Sequence, residues 1–419
     1  MTDRPDHAEP DDDPGHVDHS DDVHHRDEAE RADHHARSAR SARPVSRSAG
    51  DLQVELRHEL HRHPDLSNHE QETAARVRRF VESFTPDRIV DGIGGAGLAV
   101  VYEGSASGPC VVIRSELDAL PIQESGTRGH RSMREGIAHS CGHDGHMAIV
   151  AGLAPRLQER RPARGRVVLL FQPAEETGEG AGRVLGSEPL RSLAPDRVYA
   201  FHNLPGFPMG AVVVRDGVFA YGSRGMIIRL RGVTSHAAEP ERGVSPARAV
   251  SELIPAIAEI GSHPDAYATV VHVRVGERAF GVSPGYGEVL ATLRASEAGR
   301  LRELSEDCVR LAQRIAGDHG LSTELDWVDE FPVTHNAAGC VEIVRAAAVG
   351  LAVPVITPPE PFRWSEDFGH YTDAYEAALF GLGSGPDQPT LHRPEFDFPD
   401  DLLATGTRIL EQIVRLELG

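Results

Sequence analysis

The chain has 419 residues, 40% of them hydrophobic, which is enough for more than one compact core. Its net charge of −21 argues against nucleic acid or an anionic membrane as a partner, because phosphate groups would be repelled. All 43 basic residues are arginine, and the lack of lysine excludes Schiff-base enzymes and the usual phosphate-binding loop. Four scattered cysteines and the lack of a long apolar run predict a protein of the reducing cytoplasm without a membrane span.

The N-terminal segment, residues 1–48, is rich in Asp, His, Arg and Ser and contains almost nothing apolar. Such a segment cannot bury enough surface to offset the entropy lost on ordering, so we predict a disordered tail. Its histidines could bind metal loosely, although a solvated tail without a specific role is the simpler interpretation.

Helical and strand-like patterns alternate after this segment. The spacing of Leu52, Leu56 and Leu60 predicts a helix before Pro64, and a second helix follows the proline. The apolar runs GLAVVYEG, CVVIRSELDAL, RVVLLFQPAEE and RVYAFHNLP predict strands, with a helix over HMAIVAGLAPRLQER. This alternation indicates an α/β fold, with helices packed on the faces of a sheet.

The pattern changes between about Gly225 and Val333. Strands and helices there follow in the order β-α-β-β-α-β, which is typical of a self-contained ferredoxin-like unit. The chain then returns to helix, strand and loop. We therefore predict a catalytic domain formed by residues 49–224 and 334–419, with residues 225–333 inserted into it.

The stretch HSCGHDGH contains Cys141 and His143 just before an apolar helix. Ligands collect at this kind of strand-to-helix loop in α/β sheets. Taken alone, a Cys and a His one residue apart bind a metal about as often as they form a polar loop network.

Further ligand types stand at the ends of other apolar strands. FQPAEE carries Glu175 and Glu176, YAFHNLP carries His202, and TLHRPEF carries His392. An isolated histidine at a strand end is more often a structural hydrogen-bonding group. Several strands that deliver Cys, His and Glu to the same kind of edge favour a metal site.

Two other motifs are better interpreted as turns. GIGGAG, residues 92–97, is followed by a strand, whereas dinucleotide binding requires the N-terminus of a helix there. GVSPG, residues 281–285, contains Pro284 and also precedes a strand, so it cannot form the nucleophile elbow of a serine hydrolase.

From Asp51 to the C-terminus, the chain resembles the metal-dependent amidohydrolases related to aminoacylase, hippurate hydrolase and the plant auxin-amino acid conjugate hydrolases. The resemblance is carried, in order, by LRHELHRHPDLSNHEQETA, SELDALPI, HSCGHDGHMA, FQPAEETGEGAG, FHNLP, GVTSHAAEP, SEDFGHY and LHRPEFDF. It implies a two-metal catalytic domain with an inserted lid domain that also forms a homodimer.

The resemblance also implies the ligands of two divalent ions (zinc, manganese or cobalt), with Cys141 bridging the two ions. These ligands are Cys141, His143, Glu176, His202 and His392.

The remaining site roles follow from the same resemblance. Glu175 is the implied general base, and His236 on the lid the implied oxyanion donor, often supplied by a neighbouring subunit. Asp118 and Asp144 are the implied residues that orient the ligands. Of these two, Asp118 is counted with Glu175 and His236 as a catalytic residue. Arg294 matches a lid arginine that could receive a substrate carboxylate, although an arginine on the surface of an edge strand is an equal alternative.

The expected reaction is hydrolysis of the amide of an N-acyl amino acid or a similar small conjugate. A dipeptidase or carboxypeptidase and a metal-binding homologue without turnover are the alternatives. Two positions depart from the family pattern: Gly281 replaces an asparagine on the lid, and Glu116 replaces the first aspartate of Asp-Met-Asp. We expect the first departure to alter the details of substrate contact and lid geometry.

Overall fold

A computed structural model describes residues 48–419. The predicted tail, apart from Ser48, lies outside the described residues. No helix in the described range is long and apolar enough to cross a membrane. The α-helices are α1 Ala49–Arg62, α2 Gln71–Glu82, α3 His143–Ala151, α4 Leu153–Glu159, α5 Gly180–Gly186, α6 Glu188–Leu193, α7 Ala247–Ile260, α8 Ala298–Asp318, α9 Ala338–Gly350, α10 Gly369–Ala374 and α11 Asp401–Leu418.

The larger sheet has eight strands in the order β1-β2-β4-β3-β5-β17-β6-β16. Its four central strands, β4, β3, β5 and β17, run parallel, and β1 and β2 are antiparallel additions at one edge. These eight strands are β1 Arg88–Ile93, β2 Gly97–Glu103, β3 Cys110–Glu116, β4 Arg166–Gln172, β5 Arg197–Pro205, β6 Val212–Val213, β16 Val355–Ile356 and β17 Glu376–Gly385.

Helices cover both faces of this sheet. Along β2, Leu98, Val100 and Tyr102 face one apolar core, whereas Ala99 and Val101 face another. The first core is completed by α1, α2, α3, α9 and α11, and the second by α5, α6 and α10. Burial on both faces explains the nearly continuous apolar runs in the sequence. The predicted α/β class is confirmed.

The second large sheet has five strands in the order β10-β11-β13-β8-β14, all antiparallel to their neighbours. Helices α7 and α8 close a separate apolar core against it. It begins at Gly222, three residues before the start predicted for the insertion. Its strands are β8 Gly222–Arg231, β10 Ser262–His263, β11 Ala266–Val275, β13 Tyr286–Ala295 and β14 Ser322–Phe331.

Short strand pairs complete the fold. They are β7 Gly217–Ala220 with β15 Thr334–Asn336, and β9 Ser235–His236 with β12 Val282–Ser283. A 3-10 turn covers Pro240–Arg242. The GIGGAG motif forms the connection between the antiparallel strands β1 and β2, so its interpretation as a turn is confirmed. The single helix predicted after His143 is divided at Gly152 into α3 and α4.

Candidate metal centre and substrate cavity

Several of the predicted site residues gather at the carboxyl ends of three neighbouring parallel strands. Asp118 follows β3, the pair Glu175–Glu176 follows β4, and His202 lies on β5 near its end. Parallel strands end at the same edge of a sheet, which is where open α/β sheets bind ligands. His143 is the first residue of α3, whose N-terminus reaches the same edge.

Cys141, His143 and His202 form one compact group. Each offers one ligand atom, and these atoms lie within 4.8 Å of one another. The Cys141 Sγ atom is 3.4 Å from Nε2 of His202. All three side chains are buried.

A second group consists of Cys141, Glu176 and His392, with ligand atoms inside the same limit of 4.8 Å. Nε2 of His392 lies 3.7 Å from Glu176 Oε2. The backbone N–H of His392 donates to the Ser140 carbonyl at 2.8 Å, which ties the two ligand loops together. The structure thus brings together all five predicted ligands, and Cys141 belongs to both groups.

Hydrogen bonds fix the orientation of two of the imidazoles. Nδ1 of His143 donates to the Asp118 carbonyl at 2.8 Å, and Nδ1 of His202 donates to the Asn203 carbonyl at 2.9 Å. A carbonyl can only accept, so Nδ1 carries a proton in each ring, and Nε2 is the atom that can bind a metal ion once it has no proton. This arrangement is typical of histidines that bind metals.

Unsatisfied buried atoms point into the same space. Within residues 48–419, His143 Nε2 and Glu176 Oε1 have no hydrogen-bond partner, and they lie 3.9 Å apart. Burial and the neighbouring Glu176 carboxylate raise the pKa of the Cys141 thiol well above its ordinary value. Burial, partly offset by His143, raises the pKa of Glu176 to about 7. Divalent cations would satisfy these atoms and stabilise the thiolate and carboxylate forms of Cys141 and Glu176, so the donor set fits them.

Glu175 stands beside this cluster. Its side chain is buried, and Oε2 lies 3.8 Å from Nε2 of His143. Burial and the nearby Glu366 carboxylate raise the pKa of Glu175 well above the usual range of a glutamate. A carboxyl group with a raised pKa in a cavity is suited to proton transfer.

The two predicted orienting residues act on different parts of the site. Asp118 Oδ2 accepts the backbone N–H of Glu176 at 3.0 Å, while its carbonyl holds His143. Asp144 Oδ2 instead contacts α1, at 2.8 Å from Nδ1 of His61 and 3.3 Å from Nη1 of Arg57. It connects the first turn of α3 to that helix.

A cavity of about 610 Å³ opens over the two ligand groups. Part of its wall is aromatic: Phe362 and Trp364 stack with ring centroids 5.1 Å apart, and Phe207 meets Phe362 edge-on at 6.1 Å. The Trp364 ring also lies 5.8 Å from the His202 ring. The cavity therefore offers a flat apolar surface next to a candidate ligand.

The five-stranded sheet contributes Arg294 to the cavity wall. Its guanidinium donates to Ser365 Oγ at 2.8 Å and to the Arg363 carbonyl at 3.3 Å. Burial lowers the pKa of Arg294, but no carboxylate partner is recorded for it within the described chain. A half-buried arginine without a counter-ion can receive an anionic substrate group.

His236 lies elsewhere. It is exposed on β9, where its backbone pairs with Val282, and it is not among the cavity-lining residues of the described chain. The Gly281 carbonyl accepts the N–H of Ala237 at 3.1 Å, so the substituted lid position is adjacent to this histidine.

A buried charged network, which was not predicted from the sequence, lies behind the ligands. Arg114 contacts Glu116 and lies 2.6 Å from Asp367 and 2.9 Å from Glu366, all of them buried. Glu116 also accepts from Nδ1 of His146 at 2.8 Å. The sequence contained an indication of this network: the acidic residues of SELDALPI and SEDFGHY lie next to apolar residues that are buried.

Similarities to known proteins agree with this geometry. The sequence pattern of Peptidase family M20/M25/M40 matches residues 112–416. An N-acetylcysteine deacetylase of Bacillus subtilis is 28% identical over 371 residues, or 87% of this chain and 96% of the relative. An uncharacterized hydrolase of Sinorhizobium fredii is 31% identical over 379 residues, or 86% and 92% of the two chains.

A solved structure, that of a dinuclear metal-binding peptidase of the M20 family from Bacillus subtilis, has a TM-score of 0.75 and 26% identity to this chain. The match covers 88% of this chain and 98% of the other. Fold, site and relatives together define a hydrolase that cleaves amide bonds with the help of metal ions. More particularly, the chain belongs to Peptidase family M20/M25/M40.

Proposed function

We propose that this protein hydrolyses the amide bond of an N-acyl amino acid or a similar small conjugate, giving a carboxylate and an amine. The observation that carries the proposal is the sharing of Cys141 by two ligand groups, next to a buried glutamate that belongs to neither group. Two divalent ions would be held by Cys141, His143 and His202 on one side and by Cys141, Glu176 and His392 on the other.

The proposed cofactor is a pair of zinc, manganese or cobalt ions. A thiolate ligand favours zinc, while imidazole and carboxylate ligands also accept manganese or cobalt. When bound, the ions acidify a water molecule and polarise the scissile carbonyl.

Glu175 is the proposed general base. Its carboxylate would take a proton from the attacking water and deliver it to the departing amine nitrogen. Support comes from its position 3.8 Å from His143 Nε2 and from its burial, which excludes bulk water as a competing proton acceptor.

The substrate would be held at two ends. Arg294 is the proposed partner of the substrate carboxylate. Its guanidinium lines the cavity, and it donates hydrogen bonds to two neutral groups, Ser365 Oγ and the Arg363 carbonyl. Phe207, Phe362 and Trp364 would accept an apolar part of the substrate. The name of the Bacillus subtilis relative, N-acetylcysteine deacetylase, denotes an N-acyl amino acid and supports this substrate class.

A homodimer would complete the site. His236 is exposed, so we propose that it reaches the active site of a second copy and stabilises the developing oxyanion there. The proposed contact is the outer edge of β11, which no strand of the described chain covers beyond Tyr267, together with the exposed side chains of Val271 and Phe280.

The test separates the two adjacent glutamates with a panel of N-acyl amino acids. Glu175→Gln should keep its metal and lose about 10²–10⁴ in kcat, the range of general-base catalysis. Glu176→Gln should lose metal and recover partly when metal is added in excess. If Glu175→Gln turns over normally, or if free dipeptides are cleaved in preference to N-acyl amino acids, the proposal is wrong.

A further inference from the structure

The segment Pro64–Glu70, of sequence PDLSNHE, has no part in the chemistry proposed above, and it precedes the region that matches the family pattern. It nevertheless reaches the loop after β4 that carries Glu175 and Glu176. Glu70, the residue just before α2, is only 1% exposed. A carboxylate buried this deeply needs partners that compensate for its loss of water.

The partners of Glu70 are backbone N–H groups. One oxygen, Oε1, accepts from Asn68 at 2.8 Å and from Ala174 at 2.8 Å. Ala174 directly precedes Glu175 and has a φ of 52°. This angle lies in the left-handed region, which is unfavourable for a residue with a Cβ atom. The Glu70 carboxylate therefore stabilises a strained turn at the residue before the proposed base.

The other side of the glutamate pair is held in a similar way. Asp118 Oδ2 accepts the backbone N–H of Glu176 at 3.0 Å, and Ser67 Oγ donates to the same oxygen at 2.7 Å. The backbone on both sides of Glu175 is thus tied to residues 67–70. Because the side chains of adjacent residues diverge, the backbone angles at this point decide which carboxylate meets the ligand groups and which faces the substrate.

We propose that Glu70 is a positioning residue, which holds Ala174 in its left-handed conformation and so aims Glu175 at the reacting water. This inference rests on the proposed function, because it takes Glu175 to be the base. Glu70 itself touches neither ligand groups nor substrate. The essential feature is the Oε1 acceptor, which a glutamine can also supply.

The experiment compares Glu70→Gln with Glu70→Met, two side chains of similar length of which only glutamine keeps the acceptor. The methionine variant should lose about 10²-fold in kcat, the scale of a misplacement by about 1 Å, while glutamine stays within about threefold of wild type. KM and metal content should change little in both variants, because Arg294 is untouched and the backbone of Glu176 is still held by Asp118. Glu72→Ala, a change at an exposed glutamate in the first turn of α2, is the control and should match wild type.

A second variant tests the conformational cause. Glycine adopts the left-handed region without a Cβ penalty, so Ala174→Gly should restore at least about tenfold in kcat to Glu70→Met. It should restore nothing to Glu175→Gln, where the base itself is missing. Thermal melting of each variant shows whether it is folded. If Glu70→Met does not fold alone, its combination with Ala174→Gly is compared with Ala174→Gly instead, and the two should lie within about tenfold of each other in kcat, because glycine no longer needs Glu70. A loss of about 10²-fold in that pair contradicts the inference.

The outcomes separate the inference from the function on which it rests. Equal losses in the glutamine and methionine variants would show that Glu70 acts through packing or charge and not through its acceptor oxygen. Normal kcat in both variants, with Glu175→Gln inactive, would overturn the inference and leave the proposed function intact. A fully active Glu175→Gln would overturn the proposed function itself.

Discussion

The eight-stranded and five-stranded sheets bury their residues in different ways. In the larger sheet, β3 is buried along its whole length and carries charged groups such as Arg114 and Glu116 into the interior. In the smaller sheet, β13 alternates between buried and half-buried residues, and β11 has an exposed edge. Charges buried in the first sheet are fixed by their partners. The second sheet presents Arg294 to the cavity, and the adjoining strand pair β9–β12 leaves His236 exposed to solvent.

This contrast indicates a division of roles. Apart from the proposed base Glu175 and its positioning residue Glu70, residues around the larger sheet should determine metal content and stability, because their partners are buried and cannot be replaced by water. Residues of the smaller sheet should determine turnover or substrate affinity while metal content stays the same. Each of the following changes tests one side of this division.

The largest effect is expected from His236→Ala, on the side of the five-stranded sheet. Turnover should fall by about 10²–10³, the scale of removing one oxyanion donor, with metal content unchanged. His263→Ala, which removes another exposed histidine of the same unit, should have no effect.

Mixing the inactive His236→Ala and Glu175→Gln chains should restore about a quarter of the wild-type activity, since about half of randomly formed dimers carry one complete site. If His236→Ala is fully active, the histidine has no catalytic role. If mixing restores nothing, it does not act across a dimer.

The next effect is a pH dependence of stability, and it concerns His61 on α1, a helix packed against the larger sheet. Burial by itself lowers the pKa of His61, but Asp144, 2.8 Å from its Nδ1, outweighs burial and the pKa rises to about 9. A raised folded pKa means that protonation stabilises the fold below about pH 6.5, and that this contribution is lost as the pH rises through about 9.

His61→Gln should remove this dependence. In metal-free protein, the difference in free energy of unfolding between wild type and His61→Gln should shrink by about 2–4 kcal/mol between about pH 6.5 and about pH 10. Denaturant unfolding at the two pH values measures it. A difference that stays constant with pH would show that His61 is neutral in the fold.

A smaller effect is expected from Arg294→Gln. The loss of a charged hydrogen bond to the substrate carboxylate should raise KM by about 10–10²-fold, with a lesser change in kcat and none in metal content. Replacing the substrate carboxylate by a carboxamide should cost the wild type a similar factor but should cost the variant little. If the carboxamide costs the variant as much as it costs the wild type, the substrate carboxylate does not bind to Arg294.

The sequence predicted much of this arrangement because its signals are local. Continuous apolar runs indicated buried strands, and the ligand types at their ends indicated a shared sheet edge. The resemblance to amidohydrolases then implied the individual ligands, and the structure brings all five together.

Other features depend on contacts between distant parts of the chain and have no local signal. The aromatic wall joins Phe207 to Phe362 and Trp364, more than 150 residues further along the chain. Arg114 similarly meets Asp367 across 253 positions. The strained φ of Ala174 and its bond to Glu70 could not be read from FQPAEE, because the conformation of a loop is set by the groups that accept its N–H donors.

The central claim is that Cys141 is a ligand of two ions. The most direct test is to measure the metal content per chain. Wild-type protein should contain two divalent ions per chain, and His202→Ala and His392→Ala about one each, because each removes a ligand of one group only. The Cys141→Ala protein should contain almost no metal, although the other four ligand residues are intact. If Cys141→Ala keeps both ions, or if either histidine variant keeps both or loses both, the shared-ligand account is wrong.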